Sequence, residues 1–121
     1  MDKVISEIST QVAKFLQDNI RSVWQLELLL YLRSSNTAMT PTQIADALYM
    51  SPEAMATGLI HFEKLGLVQP SGSLLGAYQY APLDRGQELV IDQTAQTYAS
   101  KRVAIVNMIF SKTTEINSLD S

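Results

Sequence analysis

Few side chains in this sequence are typed and spaced for covalent chemistry. There is no cysteine, which excludes a disulfide framework, a thiolate metal site and a cysteine nucleophile. His61 is the only histidine, and no glycine-rich phosphate loop is present. Asp84, Glu88 and Asp92 recur at i, i+4 and i+8, on one face of a helix. Carboxylates on a single helix face rarely surround a cation, and Arg85 lies beside them, so they read as a solvated acidic stripe. The expectation is a non-enzyme with no metal and no cofactor. What remains is recognition chemistry. Hydroxyls at Thr40, Thr42, Ser51 and Thr57, the His61 imidazole and the Lys64 ammonium can all donate hydrogen bonds. Thr40 and Ser51 stand at helix starts, where they either cap the helix or meet a phosphate, and capping is the simpler reading. His61 reads as a solvated histidine ahead of a base reader or a pH sensor. Lys101-Arg102 is the only adjacent basic pair and reads as the solvated side of a helix.

Those residues need elements to position them, and the composition allows a packed domain. At 121 residues, 46% hydrophobic and 17% charged, the chain suits one soluble domain with a core of its own. The start, MDKVISEIST, has no basic stretch followed by an apolar run. The densest apolar run, Val103 to Phe110, is far short of the ~20 residues of a membrane span. A cytoplasmic protein with no membrane partner is the default expectation. Val4, Ile5, Ile8, Val12, Phe15 and Leu16 predict a first amphipathic helix over about residues 2–17. Ser22 and Gln25 form a capping-box start for a second, the nearly continuous apolar run Val23 to Leu32. Trp24 and Tyr31 on it could line a ligand cavity, but aromatics there belong with the core. Residues 34–38 read as a loop. Thr40-Pro41-Thr42-Gln43 opens a third helix, and Ser51-Pro52 opens a fourth shortly after Leu48. Met55, Leu59 and Phe62 line the fourth, and Gly66 ends it in a left-handed conformation. Leu67-Val68 and residues 77–81 predict a hairpin around Ser71-Gly72-Ser73 and Gly76. Asp84 then caps one long helix to about residue 110, leaving 113–121 as a flexible tail.

Two short helices joined by so tight a turn, followed by a hairpin, resemble the winged helix-turn-helix transcriptional regulators, loosely those of the MarR type. The resemblance lies in Thr40, Gln43, Ile44, Ala45, Leu48, Ser51, Met55, Leu59, Phe62, Gly66, Leu67 and Val68, and covers about Ser22 to Pro82. It implies a mainly α fold with a small β-hairpin: a winged-helix core over about residues 22–82, flanked by helices at about 2–17 and 84–110. It further implies that the helix from Pro52 enters a major groove and that the hairpin, as the wing, meets the backbone or minor groove. Contacts to double-stranded DNA would then come from Thr42, Ser51, Ala54, Thr57, Gly58, His61 and Lys64, and from Ser71, Ser73 and Tyr78 in the wing.

The charge map departs from that pattern. Net charge is -3, and Lys64 is the sole basic residue between Arg33 and Arg85. The wing, Leu67 to Leu83, has no charged residue, and no arginine is placed to grip a guanine. Two functions follow. One is a DNA-binding transcriptional regulator acting as a dimer, with weak intrinsic affinity. The other is a winged-helix protein–protein interaction module that has lost autonomous DNA binding, using Met50, Ala54, Gly58 and Ile60. For either, the apolar last helix predicts a homodimer interface through Tyr98, Ile105 and Ile109.

Overall fold

The computed structural model describes residues 8–120, with side chains described for 8–111. The chain is mainly helical with a small antiparallel sheet. Its elements run α1 (Thr10–Asn19), α2 (Val23–Ser35), α3 (Pro41–Leu48), α4 (Pro52–Lys64), β1 (Val68–Pro70), β2 (Tyr78–Tyr80), α5 (Arg85–Ser100) and α6 (Arg102–Asp120). Residues 24–88 form one compact unit, and the described residues before 24 and after 88 form a second. Among the described residues no helix is long and apolar enough to cross a membrane.

In the central unit, local chemistry sets each boundary. The Thr40 hydroxyl accepts from the Gln43 N–H at 3.2 Å, and the Gln43 side chain accepts from the Thr40 N–H at 2.9 Å, with Pro41 at the first helical position. This reciprocal box satisfies two donors that would otherwise lack partners. Tyr49 ends α3 in the left-handed region at φ 59. Ser51 starts α4 by accepting from the Ala54 N–H at 3.0 Å. Beyond Lys64 the Gly66 N–H donates to the Glu63 carbonyl and the Leu67 N–H to that of Phe62. This double closure needs a residue at positive φ, and Gly66 supplies it at 78.

Leu67 and Val68, both buried, lead into the sheet, where Val68 pairs with Tyr80 and Pro70 with Tyr78. Met39 joins the other edge of β2, exchanging both backbone hydrogen bonds with Tyr78 at 2.9 Å. The segment before α3 was expected to be loop alone. In the structure α2 runs on to Ser35, and the turn through Asn36 ends in this bridge. Leu28, Leu32, Ile44, Met55, Leu59 and Phe62 are fully buried.

The terminal unit differs more from expectation. Residues 2–7 of the anticipated first helix lie outside the described residues. Ile8 and Ser9 are not helical, because the Ser9 hydroxyl caps α1 by accepting from the Val12 N–H. The single long last helix is instead two, interrupted at Lys101. Thr94, Thr97 and Ser100 each donate a hydroxyl to the carbonyl four residues back. Such back-bonding competes with the backbone ladder and bends helices, and three instances precede the break. After it α6 continues to Asp120, through the segment expected to be a flexible tail.

Candidate functional site

The side chains expected to recognise a target lie on α3, the turn after it, α4 and the hairpin, all within the central unit. On α4, Glu53, Thr57, Ile60 and Lys64 are exposed, at i, i+4, i+7 and i+11, opposite Met55, Leu59 and Phe62. Ala54 and His61 flank this stripe half-buried, and the imidazole tilts against the Phe62 ring at 5.2 Å. Thr42 and Ser51 are exposed, with the Ser51 oxygen engaged in its cap.

Gly58 corrects the sequence reading. It is buried, not a contact residue. A Cβ at Gly58 would fall 2.5 Å from Leu28 Cδ2 and 3.1 Å from Trp24 Cζ3, so α4 is laid closely on α2 at this point. Gly58 stands four residues before Phe62 and three after Met55, which places it on the buried face.

The wing also behaves differently from a set of surface hydroxyls. Ser71 Oγ accepts from the N–H groups of Ser73 and Leu74 at 3.1 Å, holding the tip of the hairpin together. Ser73 Oγ is 3.3 Å from the same oxygen, and Tyr78 is half-buried with its backbone pinned to Met39. Beside the exposed Ser73, large apolar side chains face solvent. Leu75 is 97% exposed, Leu74 is exposed beside it, and Tyr49 in the helix–helix turn is 93% exposed. Sequence reasoning missed these three. The available signal was a pair of leucines in a glycine-bounded loop too short to fold back on a core.

Electrostatics sharpen the contrast. Asp46 on α3 and Glu53 and Glu63 on α4 are exposed, and Arg85 is tied to Glu88 at 3.0 Å. Residues 24–88 hold six carboxylates against three basic side chains. Asp84 caps α5 by accepting from the Gln87 N–H at 2.9 Å. Among the described residues no group of three acidic or histidine side chains is gathered to hold a metal.

In the terminal unit, Tyr98, Ile105 and Ile109, the expected dimer contacts, are all buried within the chain. Ile105 and Ile109 form an inward stripe on α6, the helix that meets α1, and Arg102 lies over the Tyr98 ring at 4.7 Å. The outward apolar residues of α6 are Val103, 71% exposed, and Phe110, 64% exposed. Comparison with protein-family models, with curated proteins and with solved structures finds no match for this chain.

Proposed function

We propose that this chain is a winged-helix interaction module, with α3 and α4 as its helix-turn-helix and the β1–β2 hairpin as its wing. It docks a protein whose surface is apolar with a basic rim, and it does not bind duplex DNA on its own. The observation that carries this reading is Tyr49, 93% exposed and held at a φ of 59. The left-handed conformation costs a non-glycine residue about 1–2 kcal/mol, and an exposed ring returns little of it. A side chain kept at a strained, solvent-facing position points to use at that surface. Ile60 on α4 and Leu75 in the wing are further exposed apolar side chains on the same elements. Asp46, Glu53 and Glu63 repel phosphate and suit a basic rim on a partner.

One arrangement favours a second reading, a weakly binding DNA regulator acting as a dimer. Two capped helices joined by Tyr49-Met50-Ser51 present Thr57 and Lys64 on the outward stripe, where a major groove would meet them. Fluorescence anisotropy on a random-sequence duplex, titrated from low to moderate salt, separates the two. The interaction module gives no binding even at low salt. Binding with a steep salt dependence means that several phosphates are neutralised, and assigns the second reading. Photo-crosslinkers at positions 60 and 75 should then trap a protein in cells, and Tyr49→Gly with Leu75→Ser should reduce the yield without lowering the melting temperature.

A further inference from the structure

The joint between α5 and α6 is built against its own sequence. Ser9, Thr40, Ser51 and Asp84 each offer a side-chain oxygen to a backbone N–H at the start of α1, α3, α4 and α5. By contrast α6 starts after Lys101, and an ammonium has donors but no acceptor with which to cap. The first turn of any helix carries N–H groups that the helix itself cannot satisfy, so this start lacks the help the others have. The interruption is one residue long. The Lys101 N–H still donates to the Thr97 carbonyl at 2.6 Å, and the Ile105 N–H to that of Lys101 at 3.2 Å. From Gln87 onward the chain has no glycine or proline, and Ala99, Lys101, Arg102 and Ala104 around the break are strong helix formers. Two features hold the break in place. The Thr97 and Ser100 hydroxyls donate to the carbonyls of Gln93 and Gln96 and so favour a bend at the end of α5. Ile105 and Ile109 are buried on α6, the helix that meets α1.

We propose that α5 and α6 interconvert with a single continuous helix, and that the continuous form exchanges α6 between two copies of the chain. In that form the N–H groups of Arg102, Val103 and Ala104 donate to the carbonyls of Tyr98, Ala99 and Ser100, and the uncapped start disappears. The extended α6 leaves its own α1, and Ile105 and Ile109 lose their cover. A second copy restores it, because its α1 presents the same residues, and the exchange is reciprocal about a two-fold axis. The contacts between α1 and α6 are kept and only their chain of origin changes. Protein concentration and the chemistry of the joint therefore set the balance between the two forms.

The test works on the full chain at position 101. Lys101→Asn gives the broken form a cap, whereas Lys101→Ala gives it none and suits a continuous helix. Sedimentation from micromolar to millimolar protein should find a dimer whose fraction rises with concentration. Its dissociation constant should be at least about 10-fold lower for Lys101→Ala than for Lys101→Asn, since each dimer forgoes two caps. Thr97→Ala with Ser100→Ala should shift it in the same direction as Lys101→Ala. Circular dichroism confirms that each variant is folded. To follow the exchange, cysteines replace Lys14 on α1 and Asn107 on α6, exposed residues that line one groove in a chain with no cysteine of its own. A short bismaleimide should join them within one chain in the monomer fraction and between two chains in the dimer fraction. A monomer at every concentration, for the parent and Lys101→Ala alike, overturns the proposal. So does one dissociation constant shared by both variants at 101. A dimer crosslinked only within its chains and dissociated by Phe110→Ser also overturns it, and assigns association to the outward face of α6.

Discussion

Gly58 and Tyr49 show how much single positions decide in this chain. At Gly58 a methyl group would enter space held by Leu28 and Trp24. Overpacking a filled core costs about 1–3 kcal/mol, and replacing glycine by alanine inside a helix returns up to about 1. Gly58→Ala should therefore destabilise by roughly 1 kcal/mol, read as a lower urea midpoint at unchanged slope. The penalty should shrink in a Leu28→Val background, since that removes part of the obstructing side chain. A more stable Gly58→Ala would mean that close packing of α4 on α2 is not what glycine serves. Tyr49 is the opposite case. Exchanging it for glycine relieves the left-handed strain but adds freedom to the unfolded chain, so stability should stay level or rise by up to about 1 kcal/mol. A loss of more than about 1 kcal/mol would show that the ring packs, and would remove the main support for its role at the surface.

Among the elements, the clearest lesson is which signals are local. Capping chemistry is written within a few residues, so the starts at Thr40 and Ser51 and the stop at Gly66 are all legible in the sequence. Ser51→Ala should cost about 1 kcal/mol while Ser51→Asn keeps the cap, and thermal melts distinguish them. If both variants melt like the parent, the hydroxyl is free to serve at the surface and the cap contributes nothing. The bridge between Met39 and Tyr78 is not legible, because no short-range pattern marks one residue pairing across a sheet edge. The interruption at Lys101 escapes for another reason. Without proline or glycine near it, the only trace is three hydroxyl residues whose back-bonding becomes visible once the helix is built. Helical periodicity located the apolar stripe of α6 but not its direction. Ile105 and Ile109 turn inward while Val103 and Phe110 turn out, and that choice depends on what α1 covers. The candidate surface was legible in its poverty of cations and not in its exposed Tyr49, Leu74 and Leu75, since burial of a loop side chain is a tertiary property.

At the scale of the whole molecule, the chain divides into two compact units, and each invites its own substitutions. Ile109 is buried in the terminal unit, so Ile109→Asp places an unpaired carboxylate in the core and should cost about 3 kcal/mol or more, whatever the oligomeric state. A variant that keeps its melting temperature while a dimer dissociates would restore Ile109 to an interface. Self-association through the outward face of α6 is better sought with Phe110→Ser, which changes an exposed side chain and should leave the melt untouched. The central unit invites a stricter trial. It holds its own apolar set from Leu28 to Phe62, both helix caps, the Gly66 closure and the whole sheet within one continuous stretch. Every hydrogen bond that defines those boundaries is made inside residues 24–88. Domains of roughly 60 residues bury a smaller share of their surface and are correspondingly marginal. A fragment spanning residues 22–88 should therefore melt cooperatively, at a temperature below that of the full chain. Amide exchange should find its slowest protons in α4 and in the bonds joining Met39 to Tyr78 and Ala81 to Leu67, because the most buried elements open last. A fragment with helical circular dichroism but no cooperative transition would show that the unit's cohesion comes from outside it. The proposed wing and helix-turn-helix would then depend on both chain ends for their shape.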